Sequence, residues 1–378
     1  MRPVVIAGYV RSPFTLAKKG DLAKVRPDEL AAQTVRGLIE RTGIDPAALE
    51  DLIMGCAFPE GEQGFNVARI VEFLDELPVG MAGATVNRFC GSSMQAIHMA
   101  AGAIQMNAGE AFIAAGVESM TRIPMGGYNP LPHPGLFERY PQAFVSMGET
   151  AENLAKRYDI PRARQEEFAL ESQKKAVAAQ AAGRFDDEIV PISRNGSVIE
   201  KDGCLRPDTT LEGLAELKLA FDEHGTVTAG TSSPLTDGAS ATLVCSEDFA
   251  DTHGLEPLAR IKSIAVSGCA PELMGLGPVV STHKALERAG LELADMDVIE
   301  LNEAFSSQSL AVIDELGLDP ARINLDGGAI ALGHPLGATG ARITGKAAAL
   351  LAREGGHYAL ATQCIGGGQG IATVLEAV

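Results

Sequence analysis

The chain has 378 residues, 46% hydrophobic and 21% charged, which supplies apolar material for two ordinary domains with buried cores and excludes a disordered chain. A formal charge of -18 excludes a phosphate-tracking nucleic-acid surface, which needs clustered Lys and Arg, so any anionic ligand must be held by local donors. With 42 glycines, 5% aromatics and no tryptophan, the interior must be packed from small and aliphatic side chains, which suits a layered α/β protein.

The N-terminal run 1–8 lacks the basic start and long apolar core of a secretory signal, and no stretch of about 18 apolar residues follows. The expected location is cytoplasmic, without integral membrane contact. Residues 4–8 predict a strand, 30–41 a helix, and 51–55 a second strand after a turn at Gly43. A short strand at 84–87 breaks at Cys90-Gly91 into a helix whose apolar positions are Met94, Ile97, His98, Ala101 and Ile104, and a buried strand follows at 111–116. The next strand of this half, 241–245, lies far along the chain. A helical pattern at 151–182 with Pro- and Gly-rich ends marks the interval as an inserted subdomain able to cover a site.

The same order then recurs. Strand 261–267, helix 279–288, a turn at Gly290, strands 297–300 and 323–325, a glycine-rich turn through His334, and a helix carrying Ile343, Ala347, Leu350 and Leu351 precede strands 358–362 and 371–375. Alternation of strands and helices predicts an α/β fold with mixed, mostly parallel sheets in two copies. The expected divisions are an N-terminal half, 1–118 plus 241–260, an insertion, 119–240, and a C-terminal half, 261–378.

The six cysteines, Cys56, Cys90, Cys204, Cys245, Cys269 and Cys364, form no C-x-x-C pair and have no histidine at zinc-ligand spacing. This argues against a disulfide framework or a metal knuckle. Cys90 stands at a strand-to-helix turn, where backbone N–H groups and the helix dipole favour thiolate and can also donate to an acyl oxygen. A buried core thiol is the commoner role for such a cysteine. His334, in Gly333-His334-Pro335, occupies the matching turn of the second copy, so two related turns offer a nucleophile and a base. Cys364 opens the loop Cys364-Ile365-Gly366-Gly367-Gly368, whose amides suit either an oxyanion site or a tight hairpin. Asn302, after the strand at 297–300, can orient a water or an imidazole, or simply cap a helix. The string from Gly340 to Lys346 spells G-x-x-x-x-G-K, but Ala347 stands where Mg²⁺ needs Ser or Thr and the segment reads as helix interior.

Four segments, running in order through the whole chain, resemble the thiolase family. They are the nucleophile motif at 86–96, Asn302-Glu303-Ala304-Phe305, the G-G-A-I-A-x-G-H-P-x-G motif from Gly327 to Gly337, and the C-I-G-G-G-x-G motif from Cys364 to Gly370. The resemblance implies a duplicated α-β-α-β-α layered fold and an acyltransferase making or breaking the carbon–carbon bond of 3-oxoacyl-CoA through a Cys90 thioester. It implies that His334 activates Cys90, that Cys364 protonates the departing enolate, and that oxyanion sites are formed by Asn302 with His334 and by the amides of Cys90 and Gly366. Arg206 and Ser233 match coenzyme A contacts and Met147 a residue near the thioester, although Leu219 replaces a family proline. Coenzyme A is then a substrate rather than a bound cofactor, with acyl-CoA its counterpart. The assembly is expected to be a homodimer, a homotetramer or a complex with a hydratase-dehydrogenase partner. Glu62 to Asn66, Ser93 and Thr226 to Ser233 are similar to the fatty-oxidation branch rather than the biosynthetic acetoacetyl-CoA branch. Decarboxylating ketosynthases and hydroxymethylglutaryl-CoA synthases share the duplication but lack the second cysteine. A silent CoA or lipid carrier would not need Cys90, His334 and Cys364 together.

Overall fold

The apolar run behind Arg2 and Pro3 becomes β1 (Val4–Arg11), buried along its entire length in the computed structural model, which describes residues 2–378. The first half adds β2 (Asp51–Gly55), β3 (Ala82–Val86), β4 (Ala111–Ser119) and β5 (Thr236–Ser246). The second half contributes β6 (Ala259–Gly268), β7 (Val298–Leu301), β8 (Tyr358–Ile365) and β9 (Gln369–Glu376). Across the sheet they run β7-β8-β9-β6-β1-β5-β4-β2-β3, with the short strand Thr15–Leu16 set beside β5. The sequence repeat is visible in that order, because β6-β9-β8-β7 on one side mirrors β1-β5-β4-β2 on the other.

The sheet is mixed, as expected, but its balance differs from the expectation. Only the β2–β3, β2–β4 and β7–β8 pairs are parallel, while β4–β5, β5–β1, β1–β6, β6–β9 and β9–β8 are antiparallel. Parallel neighbours need a crossover helix. The tight connection from β8 to β9 and the long return through the insertion to β5 supply none. The two copies also share one sheet, joined where Val5 and Ile6 pair with Arg260 and Ala259.

The strand expected at 323–325 shrinks to a single bridge between Ile299 and Ile323. Asn324 leaves the extended region with φ 46°, and its side-chain amide takes over the strand's work. Its Oδ1 accepts from Leu301 N at 3.0 Å, and its Nδ2 donates to Leu301 O at 2.8 Å.

Six of the helices bear on the site and its cover: α1 (Pro27–Thr42), α2 (Ser92–Gln105), α3 (Met147–Arg157), α4 (Arg162–Ala181), α5 (Gly277–Ala289) and α6 (Leu336–Glu354). α1 and α5 cover the outer faces of the two halves, and each ends on a glycine, Gly43 and Gly290, at φ 68°. α2 and α6 form the middle layer. α6 is buried on nearly every side and packs against strands of both halves, as a helix enclosed on all faces must. Where the two central helices meet, Gly340 permits the contact, since a Cβ there would lie 2.3 Å from Met94 N.

The helical pattern at 151–182 is two helices, α3 and α4, divided at Tyr158 to Pro161 because Asp159 has φ 50° and Pro161 carries no N–H. α3 begins with a capping box in which Ser146 and Glu149 satisfy each other's backbone amides. Buried ion pairs lock the insertion to the core. Arg11 of β1 meets Glu188 at 2.8 Å and Asp202 at 2.7 Å, and Lys346 of α6 meets Glu188 at 2.9 Å and Asp326 at 2.8 Å. Lys346, the lysine of the G-x-x-x-x-G-K string, is therefore an interior structural cation of a helix. Its replacement in Lys346→Met leaves two buried carboxylates short of a partner and is expected to cost about 3 kcal/mol. The check is the midpoint of chemical denaturation; an unchanged midpoint would show that the pairs contribute nothing.

Candidate active site

Cys90 lies on the turn between β3 and α2, immediately after Phe89 at φ 42°. Its sulfur is buried in a cluster with Ala57, Met120 and Leu336, so residues from both halves wall it in. The Gln363 side-chain amide, from β8, donates to the Cys90 carbonyl and ties the turn to the second half. The expectation that the helix N-terminus lowers the thiol is not met. Burial pushes Cys90 up to about 11 and outweighs the downward pull of two backbone amides, those of Gly366 and of Cys90 itself. The local reason is that the amides of Gly91 and Ser92 are already taken by Arg88 O at 2.9 Å and Phe89 O at 3.1 Å. The two amides that pull the thiol downward are those expected to form an oxyanion site.

His334 stands at the equivalent turn, two residues before Leu336 and the start of α6. Its N–H donates to Thr236 Oγ1 at 3.0 Å, fixing the backbone against β5. Its Nδ1 lies 2.7 Å from Thr339 Oγ1, whose hydroxyl donates to Pro335 O at 3.1 Å, so the Nδ1 carries the ring proton. The Nε2 then accepts from Asn302 Nδ2 at 3.4 Å and has a lone pair to take up a proton. Burial, followed by the charge of Arg342, lowers the imidazole to about 3. Asn302 Oδ1 is buried with no partner, an acceptor turned into the site.

Cys364, near the end of β8, is buried with Ala151, Val227, Met274, Ala304 and Phe305, and Met147 packs against this group. Burial and the neighbouring Cys90 hold its thiol well above the ordinary range, so it is a protonated group that can give its proton. Gly366 follows within the hairpin, where a Cβ would come 3.6 Å from Met147 Sδ. Ser233 is half-buried, with its N–H held on Ala304 O at 3.0 Å beside Asn302-Glu303.

Arg206 belongs to a different surface. Its N–H donates to Gln173 Oε1 at 2.9 Å, and it lines a cavity of about 240 Å³ with Leu170, Lys174 and Thr209 of the insertion. A cavity of about 380 Å³, lined by Leu293, Ile299, Leu318 and Arg322, lies at the far edge of the second half. Neither contains Cys90, His334 or Cys364. Ser93, one of the residues similar to the fatty-oxidation branch, turns its hydroxyl to accept Ala341 N at 2.8 Å, so its direct role is to pin α2 on α6.

Sequence reasoning missed the residues that hold the site in place: Thr236 and Thr339 on His334, Gln363 on Cys90, and Glu118. The signal for Glu118 was present, since a lone carboxylate extends the apolar strand 111–117 without interrupting its burial.

The chain matches two family models, "Thiolase, N-terminal domain" over residues 4–248 and "Thiolase, C-terminal domain" over residues 255–377. It is 48% identical to a 3-ketoacyl-CoA thiolase of Marinobacter nauticus, over 100% of this chain and 99% of the relative. It is 44% identical to that of Bacillus subtilis, over 100% of both. Its fold matches human mitochondrial 3-ketoacyl-CoA thiolase in complex with CoA with a TM-score of 0.92 at 38% identity, covering 100% of this chain and 98% of the other. The acetyl-CoA acetyltransferase of Bacillus anthracis matches with a TM-score of 0.92 at 39% identity, covering 100% and 99%.

Both buried imidazoles of the central layer should be neutral throughout the physiological range. His98 of α2, 2.8 Å from Thr373 Oγ1, is lowered by burial to about 3, like His334, against an ordinary 6.5. A folded pKa below the unfolded one means that the unfolded chain gains protons which the folded chain refuses. These two groups therefore remove stability as pH falls from 6.5 towards 3. Their ring signals in NMR spectra are expected to stay flat between about pH 8 and about pH 5. A midpoint near neutrality for either would contradict the burial argument.

Proposed function

The chain belongs to the thiolase family, and on that premise we propose that it cleaves 3-oxoacyl-CoA with free coenzyme A, giving acetyl-CoA and a shortened acyl-CoA through a thioester on Cys90. The observation that carries this reading is the arrangement of three groups: a buried thiol, Cys90, and an imidazole, His334, at the two duplicated turns, and a second protonated thiol, Cys364, that feels Cys90 from the end of β8. His334 takes the Cys90 proton as the sulfur attacks the ketone carbon. The bond between C2 and C3 then breaks. Cys364 gives its proton to C2 of the departing acetyl-CoA enolate, and the acyl group stays on sulfur. In the second half-reaction Cys364 accepts the proton of the incoming coenzyme A thiol, that sulfur attacks the thioester, and His334 returns its proton to Cys90. Two acid–base groups are required because one proton moves on sulfur and the other on carbon.

The charge formed on oxygen needs donors at two places. The amides of Cys90 and Gly366 suit the thioester oxygen, since both pull the Cys90 thiol downward and so face the negative charge that develops next to it. Asn302, with its unpaired Oδ1, and His334 Nε2 suit the other oxygen through a water. Coenzyme A enters as a substrate, with Ser233 and Met147 beside the reacting end and Arg206 on the insertion as the outer contact. We divide the chain accordingly into halves 1–118 plus 241–260 and 261–378, with 119–240 as the covering insertion. The strands shift those limits slightly, since β4 runs to Ser119, β5 already starts at Thr236 and β6 at Ala259, which leaves 120–235 between the strands as the insertion.

The working unit is a homodimer formed through β3. This strand pairs only with β2, so its outer edge is open, and beside it Phe65 is 93% exposed and Val79 79% exposed. Phe65 and Asn66 both hold left-handed conformations, φ 55° and 56°, which turn the ring outward rather than into the fold. Six unpaired cysteines agree with a reducing compartment, the cytoplasm. A Phe65→Asp, Val79→Asp pair of substitutions is expected to shift sedimentation from dimer to monomer; a variant as large as the parent would remove this interface.

The functional reading is tested by separating the half-reactions. Cys90→Ala should abolish formation of an acyl-enzyme from acyl-CoA, observed by intact-protein mass. Cys364→Ala should still accept the acyl group yet lose about a thousandfold or more of carbon–carbon cleavage. Equal loss of both half-reactions in the second variant would defeat the separate roles.

A further inference from the structure

A buried carboxylate usually has a cation beside it; Glu118 has none. It sits one residue before the end of β4, fully buried, and its carboxylate is held mainly by N–H groups of other segments. Oε2 accepts from Ala57 N at 2.8 Å and from Gly337 N at 2.9 Å. Oε1 accepts from Gln63 Nε2 at 2.8 Å and Phe58 N at 3.4 Å, with the Cys56 thiol 3.8 Å away. Gln63 is fixed in turn, its Oε1 accepting from Ser119 N at 2.6 Å and its Nε2 donating to Phe58 O at 2.9 Å. Burial raises the carboxyl above its ordinary value, and the four N–H donors pull against it and favour the ionised form.

The segments gathered by this one group are the walls of the nucleophile pocket. Ala57 follows β2 of the first half, Leu336-Gly337 follows His334 in the second half, and Met120 lies two residues beyond Glu118 itself. Ala57, Met120 and Leu336 are the residues clustered around Cys90. We propose that Glu118 is a positioning residue that sets the His334 turn of one half in register with the Cys90 pocket of the other. The proposal rests on the reading of Cys90 and His334 as nucleophile and base. Its fixed negative charge has a second consequence. Glu118 is the charged side chain whose field acts on Cys90, and it acts with burial to keep the sulfur protonated until His334 can take the proton.

Glu118→Gln keeps the shape but turns an NH₂ group toward N–H donors and removes the charge. Turnover is expected to fall by about a hundredfold, as for a displacement of reacting groups by an ångström, with KM for coenzyme A changed less than about twofold. The midpoint of iodoacetamide alkylation of Cys90 against pH should move to lower pH, a change that loss of packing alone would not give. Glu118→Asp, which keeps the charge but not the reach, should lose turnover with little movement of that midpoint. Turnover within about twofold of the parent for Glu118→Gln, or an unmoved midpoint, overturns the proposal. Should that variant fail to fold, Gln63→Met removes a single donor: at least about fivefold lower turnover with unchanged KM supports the assignment, and parental turnover refutes it. Alkylation needs no catalysis, so failure here is distinguishable from failure of the nucleophile assignment, which Cys90→Ala tests separately.

Discussion

The contact between α2 and α6 is the constraint from which the site follows. Each helix begins at one of the two duplicated turns, so their separation sets how far Cys90 lies from His334. The bare Cα of Gly340 against Met94 and the Ser93 hydroxyl on Ala341 N allow two backbones to touch where side chains would hold them apart. Because both helices are buried against strands of both halves, neither can shift without disturbing both. The pocket is thereby built into the core, and its precision comes from packing rather than from loops.

Around this axis the polar interior divides into two kinds of work. Ion pairs of Arg11, Glu188, Asp202, Lys346 and Asp326 join the insertion to β1 and α6 and lie on the opposite side of the task from the chemistry. Near the reacting groups the hydrogen bonds are mostly to backbone or hydroxyl: Thr236 and Thr339 on His334, Gln363 on Cys90, backbone amides on Glu118. Neutral partners fix geometry without supplying a mobile counter-charge that could trap an imidazolium or a thiolate.

Much of this was legible in the order of residues. The duplicated strand–helix pattern, the paired turn glycines and the placement of Cys90 and His334 at equivalent turns could be read because each depends on local periodicity or on a turn's need for glycine. What could not be read depends on distant partners. Asn324 ends a strand by using its side chain against Leu301, and the balance of parallel and antiparallel pairs depends on where the insertion returns. The thiol's electrostatics were misread for the same reason: a helix start suggests a lowered pKa, but burial by Ala57, Met120 and Leu336 is a tertiary fact.

That misreading has a mechanistic lesson. A thiol raised to about 11 beside an imidazole lowered to about 3 is a pair of neutral groups, each discouraged by burial from becoming an ion. Standing thiolate would be a nucleophile toward any electrophile small enough to enter. On the proposed mechanism the proton leaves sulfur only as the carbon–sulfur bond forms, when negative charge passes to the substrate oxygen and meets donors already in place. The same apolar burial that suppresses the resting ion pair strengthens those hydrogen bonds, so the resting inertness of the thiol and the stabilisation of the reacting oxygen have one physical source.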